Sequence, residues 1–150
     1  MPFDPEIIEA RLALNLIAAA DWPRLACDAL ESGLDGAGIR RLAALTLPTW
    51  SEVAIVLPEA VREMKLVTVP ADEAGFRLAK RRAREILQSG SDPLTHTQEF
   101  EQLWIQAGYP KNLDGFGTLD DEVNVARQMG RTQEELRSFI IQRLNDLARD

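Results

Sequence analysis

Apolar residues recur at helical spacing along almost the whole chain, between recognisable helix starts and stops. Residues 71–89 show this most clearly, with one apolar face followed by Gly90 as a stop signal. That face consists of Phe76, Ala79, Ala83, Ile86 and Leu87. Only "KLVTV", residues 65–69, has the composition of a strand, and it is too short and solitary to build a sheet. The pattern therefore predicts an all-α fold.

Capping residues divide this pattern into separate helices. Starts are predicted at Asp4, Asp21, Asp35, Thr49, Asp92 and Thr132, with capping boxes completed by Glu52 and Glu135. Pro58 predicts a kink or two short helices near Leu57. Residues 108–118 are expected to be irregular, with a short helix around 119–129. Short connections between such segments predict a compact bundle of about seven or eight amphipathic helices, a single domain over residues 1–150.

Composition excludes several classes of protein. The chain is 45% apolar and 27% charged, as globular proteins are. It has no apolar run of about eighteen residues, so no membrane-spanning segment is expected. The first residues, "MPFDPEII", lack the basic lead and apolar core of a signal peptide. A cytoplasmic location is the expectation.

The formal net charge of −7 makes nucleic acid an unfavourable partner. The bases are nevertheless concentrated on one side of the helix predicted over 71–89. Arg77, Lys80, Arg81 and Arg84 follow one another at i, i+3, i+4 and i+7, and we call this set the basic face. It is a tentative partner-binding face. The alternative is that it neutralises acidic neighbours within the bundle and complements the helix dipole.

Residues 24–45 have the spacing of a helix-turn-helix, with Gly33 in the turn. The second helix would present Arg40 and Arg41 to DNA. Its first turn contains Gly36 and Gly38, which have no side chains that read bases. DNA binding by this segment is therefore an alternative, and an ordinary corner between two helices is the preferred interpretation.

Residues 112–123, "NLDGFGTLDDEV", resemble the loop of an EF-hand. Phe116 occupies a position that needs an oxygen ligand, and Val123 occupies that of the bidentate glutamate. A degenerate calcium module is thus the third functional alternative. The preferred interpretation is a helix connection in which Gly115 and Gly117 permit turns.

The sequence presents no motif for catalysis, for a metal or for a cofactor, and none of these is predicted. His96 is the sole histidine and is expected at the surface near a helix start. Cys27 is the sole cysteine, which excludes an internal disulfide and a cysteine-based zinc site. It is expected to be a small buried residue, and Trp50 and Trp104 are expected to anchor the core.

Part of the chain resembles a pattern in small bacterial helical proteins that have no assigned activity. It comprises the helix stop at Leu87 to Gly90, the Asp92-Pro93 start, the Leu103-Trp104 pair and the turn Gly108-Tyr109-Pro110. The resemblance implies a bacterial origin and an all-α fold, and it supplies no catalytic residues.

These observations favour a non-enzymatic protein that acts by binding another protein, as an adaptor or as an immunity-like protein. The partner, the biological process and the oligomeric state do not follow from the sequence.

Overall fold

The computed structural model describes residues 2–149, and within them the fold is all-α, with no strand. Eight α-helices of seven residues or more are joined by turns, three short 3-10 helices and one single-turn α-helix. Contacts divide the chain into two compact units, Met1–Val69 and Pro70–Asp150. Each unit has its own apolar cluster. That the two units form one domain stays a prediction.

The first unit contains four α-helices. They are α1 (Pro5–Ala13), α2 (Trp22–Glu31), α3 (Ala37–Ala43) and α4 (Trp50–Glu63), and a 3-10 turn, Ala19–Asp21, precedes α2. Helix α3 packs against both α2 and α4. Trp22, Ile39, Leu42 and Val53 are fully buried at the centre of this unit.

The second unit contains five. They are α5 (Ala71–Ser89), α6 (Thr97–Gln106), the single-turn α7 (Asp114–Gly117), α8 (Leu119–Gln128) and α9 (Gln133–Ala148). Short 3-10 helices, Pro93–Thr95 and Lys111–Leu113, precede α6 and α7. Helix α5 packs along α9, and α6 packs against α7 and α8. The core includes Leu113, Leu119, Ile140 and Leu144.

Most of the predicted helix ends are confirmed. Helix α5 spans the predicted residues and ends at Gly90, which adopts the left-handed conformation with φ 70°. The Thr49 hydroxyl accepts the amide of Glu52, and the Thr132 hydroxyl accepts that of Glu135. Asp4 accepts the amide of Ile7 at the start of α1. These signals are local, so a sequence specifies them well.

Several predictions about local structure are wrong. Helix α4 runs through Pro58 as one helix, so two short helices do not form there, and the kink near Leu57 stays a prediction. Asp35 pairs with Arg40, and Gly36 rather than Asp35 occupies the N-cap of α3. Asp92-Pro93 begins a 3-10 turn rather than α6 itself. Residues 111–117, expected to be irregular, form a 3-10 helix and α7.

The prediction of which aromatic residue is buried in the first unit was also wrong. Trp50 is 50% exposed, whereas Trp22 is fully buried and occupies the centre of the unit's core. Trp104 is partly buried against the core of the second unit. Cys27, expected to be buried, is exposed.

Candidate functional site

The basic face lies on α5, and each of its bases has a partner within the second unit. Arg77 Nη2 lies 2.7 Å from Glu73 Oε1, and Arg81 Nε lies 3.3 Å from Glu85 Oε1. Arg84 donates to the carbonyl oxygen of Ala148. The Lys80 ammonium lies 5.9 Å from the ring centroid of Phe76. Two of these four contacts, those of Arg77 and Arg81, join opposite charges along α5, as charge neutralisation requires.

The helix-turn-helix segment is built into the first unit through α3. The Glu63 carboxylate accepts the amides of Gly38 and Ile39, at 3.3 and 2.9 Å, and so caps α3 from α4. A Cβ added at Gly36 or Gly38 would collide with Glu63 or with the backbone of Ala60. The first turn of α3, which would have to face DNA bases, therefore packs against α4.

The two arginines of that segment are also engaged. Arg40 forms a two-pronged pair with Asp35, with Nε to Oδ1 at 2.8 Å and Nη2 to Oδ2 at 3.1 Å. Hydrogen bonding to Arg40 lowers the pKa of Asp35 below its ordinary value. Arg41 lies 4.0 Å from Glu59. The geometry gives the DNA-binding alternative little support.

The oxygens of residues 112–123 face different partners rather than a common centre. Asp114 accepts the indole N–H of Trp104, and Asp120 accepts the hydroxyl of Thr97 at 2.7 Å. Thr118 donates to the carbonyl oxygen of Asp114. Among the described residues, no three acidic, histidine or cysteine side chains come together as a metal would require. The segment forms the connection between α6 and α8.

The outer side of α4 carries an apolar surface that includes Trp50, which was expected in the core. Trp50, Ala54 and Pro58 follow one another at helical spacing, with Ile55 beside them, and all four are exposed. We call these four residues the α4 face. Ile55 is 78% exposed, and Leu47, in the loop before α4, is 87% exposed. The opposite side of α4 is buried through Val53, Val56 and Ala60. The helix that carries the α4 face is therefore anchored in the core of the first unit.

A cluster of polar side chains occupies the turn from α5 to α6. The imidazole Nε2 of His96 lies 3.0 Å from Ser91 Oγ, and its Nδ1 lies 3.0 Å from Glu99 Oε1. Arg82 donates two hydrogen bonds to the same carboxylate, from Nε to Oε2 at 2.7 Å and from Nη2 to Oε1 at 3.2 Å. We call Arg82, Ser91, His96 and Glu99 the polar cluster.

The roles of the two His96 nitrogens depend on the tautomer of the ring. With the hydrogen on Nδ1, that nitrogen donates to Glu99 and Nε2 accepts from Ser91, whereas Arg82 Nη2, a donor 3.4 Å from Nδ1, favours the tautomer with the hydrogen on Nε2. The Arg82 hydrogen bond, aided by that of His96, lowers the pKa of Glu99 against the opposing effect of burial. Glu99 is therefore ionised at neutral pH, and His96, with only 16% of its side chain exposed, is held in one orientation.

A groove of about 380 Å³ opens beside Ser91, between the end of α5 and α9. Its walls are mainly apolar and include Ile86, Leu87, Pro93, Ile141 and Leu144. Ser91 also lines it, as do Asp92 and Arg137, which pair through two hydrogen bonds of 3.2 Å. The pair lowers the pKa of Asp92. The groove and the polar cluster therefore share Ser91.

Sequence analysis missed both the α4 face and the polar cluster. His96 was expected at the surface, and in the structure its ring instead lies between the Ser91 hydroxyl and the Glu99 carboxylate. The available signal was the short turn from Gly90 to Pro93, which reverses the chain and brings the start of α6 beside the end of α5.

None of the helices between residues 2 and 149 combines the length and the apolar character that crossing a bilayer requires. No family model, curated protein or solved structure matches the chain.

Proposed function

We propose that the protein acts by binding another protein, and that the α4 face is the principal contact. The observation that carries this proposal is the exposure of two large apolar side chains, Trp50 and Ile55, on the outer side of one helix. Large apolar side chains grouped on a surface are typical of interaction sites. Tryptophan is among the residues that contribute most to binding when a partner covers them.

The chemistry of the α4 face defines the kind of partner. It offers apolar area and a helical shape, with no charged side chain among its four residues. Pro58 has no N–H to donate to the carbonyl of Ala54, so α4 lacks one helical hydrogen bond on this side. An apolar surface on the partner, such as one side of an amphipathic helix, would complement the α4 face.

The test compares two lysine substitutions in the same unit. Ile55→Lys places a charge in the α4 face, whereas Val67→Lys changes a residue of similar exposure, 60%, outside it. A protein captured by the wild type is purified and its affinity for each variant is measured. We expect Ile55→Lys to weaken binding at least tenfold and Val67→Lys to leave it within about twofold. Equal affinities would contradict the proposal.

The basic face remains a second candidate surface. Its exposed members, such as Arg81 with 44% of its side chain accessible, could guide an acidic partner towards the protein. Such steering would appear as an association rate that falls with salt, and it would be reduced when the four bases are replaced by Ala.

A further inference from the structure

The polar cluster has the arrangement of a nucleophile, a base and an orienting acid. Ser91 Oγ, the two imidazole nitrogens of His96 and a carboxylate oxygen of Glu99 form a chain with two links of 3.0 Å. Both distances are those at which a general base takes a proton from a serine hydroxyl and is itself oriented by an acid. Because Glu99 is ionised, it also stabilises the imidazolium that forms when His96 accepts a proton.

The reactive hydroxyl in this chain is accessible. Ser91 is exposed and lines the groove, whereas His96 lies behind it and is mostly buried. Ser89 Oγ donates to the carbonyl oxygen of Ile86 at 2.9 Å and also lies 2.9 Å from Ser91 Oγ, so the Ser91 hydroxyl has Ser89 Oγ and His96 Nε2 within reach as alternative acceptors. The amide of Ser91 donates to Ser89 Oγ. The turn is thus tied in place, and Ser91 is held at the groove's edge.

The groove limits what could meet Ser91. A volume of about 380 Å³ with walls that include isoleucine, leucine and proline suits a short apolar chain. Arg137 lines the same groove, and Asp92 holds its Nε and Nη2.

We propose that the second unit hydrolyses carboxylic esters with a short apolar acyl chain, using Ser91 as nucleophile and His96 as general base. Glu99 is a positioning residue that acts through His96. The acyl chain occupies the apolar groove. This activity is independent of the proposed function, which resides in the α4 face of the first unit.

The reaction balances with water as the only co-reactant. Ser91 Oγ bonds to the carbonyl carbon while its proton passes to His96 Nε2. The C–O bond to the alcohol then breaks, and the leaving oxygen takes that proton. Water next adds to the acyl carbon and gives its proton to His96. The bond from carbon to Ser91 Oγ breaks, Ser91 recovers the proton, and the carboxylic acid leaves.

The first test is covalent labelling of the full chain with an alkyl fluorophosphonate. Attack by Ser91 forms an O–P bond and releases fluoride, so the protein gains one phosphonyl group. Peptide mapping by mass spectrometry should place it on Ser91, and labelling should be lost in Ser91→Ala but retained in Ser51→Ala, an exposed serine in the first unit. Absence of label on Ser91 in the folded wild type would overturn the proposal.

The second test is hydrolysis of p-nitrophenyl butyrate. Ser91→Ala should reduce kcat/KM at least 100-fold. Glu99→Gln should reduce kcat about tenfold, leave KM unchanged and alter the pH profile, which a merely structural residue would not do. Ile141→Trp, at a groove residue 40% exposed, should raise KM for the butyrate more than for the acetate. Equal hydrolysis by wild type and Ser91→Ala, with both folded by circular dichroism, would show that the polar cluster only ties α5 to α6.

Discussion

Gly117 allows a close approach that can be tested by adding one methyl group. It ends the single-turn α7, and its backbone lies against the indole ring of Trp104 on α6. A Cβ built on Gly117 would overlap the ring atoms of Trp104, which are rigid and packed against the core. Gly117 lies in helical backbone, so alanine would be strained only by this overlap.

The cost of Gly117→Ala follows from two opposing effects. Forcing an extra methyl into a packed site costs about 1–3 kcal/mol, and the better helix propensity of alanine offsets up to about 1 kcal/mol of that. The expected net loss is about 1–2 kcal/mol. For a chain of this length that corresponds to a fall of about 2–8 °C in the melting temperature.

Gly115→Ala is the matched control because it lies in the same helical turn. Its Cβ would lie 3.1 Å from Nη2 of Arg143, which donates to the carbonyl oxygen of Gly115 at 3.0 Å, so the guanidinium needs to shift by only a few tenths of an ångström. We expect a change of less than about 0.5 kcal/mol. Melting is followed by circular dichroism on the parent and on both variants.

A double-mutant cycle identifies the cause. When Trp104 is replaced by Ala, the obstacle is gone, and Gly117→Ala should then be neutral or slightly stabilising. If it costs as much in that background as in the parent, the backbone is responsible and the steric argument fails. The same follows if Gly117→Ala and Gly115→Ala melt within a degree of each other.

Four further predictions concern pH, the core and ligands. The pKa of Glu99 is lowered in the folded state by Arg82, so its contribution to stability is present at neutral pH and is lost as the pH falls through the folded pKa. Glu99→Gln should therefore make the melting temperature fall less steeply as the pH becomes acidic. An unchanged decrease would contradict this. Trp22→Ala should cost about 3–5 kcal/mol in chemical denaturation, whereas Trp50→Ala should cost under about 1 kcal/mol, because only Trp22 is fully buried. Calorimetry should detect no one-to-one calcium site tighter than about 100 μM at residues 112–123. Fluorescence titration should detect no binding of random duplex DNA at physiological salt, and micromolar binding that is lost when the basic face is changed to Ala would refute this.

Signals that act within a few residues predicted much of the fold. The bounds of α5, its glycine stop and the caps at Thr49 and Thr132 depend on neighbours in the chain, so the sequence contains them. The all-α class follows from the same periodicity. These local signals do not determine which side of each helix packs against another helix.

Helix α4 shows why Trp50 was wrongly predicted to be buried. It has apolar residues almost all around, including Trp50, Val53, Ile55 and Val56, so helical spacing allows more than one buried face. The contact with α3 selects the side of Val53 and Val56 and leaves Trp50 and Ile55 exposed. The α4 face is therefore a consequence of tertiary packing, and no local pattern distinguishes it from a core stripe.

The polar cluster depends on packing in a different way. Ser91, His96 and Glu99 are separated by five and three residues, a spacing common in any chain, and Arg82 joins them from fourteen residues before His96. The left-handed turn at Gly90 reverses the chain, and Asp92 then caps the next turn by accepting the amide of Leu94. Together these two local features bring the start of α6 back beside Arg82. The stop at Gly90 and the start at Asp92 were both recognisable in the sequence. Treated together as one tight reversal, they would have predicted that these four side chains meet. The two distances of 3.0 Å could not be predicted from the sequence.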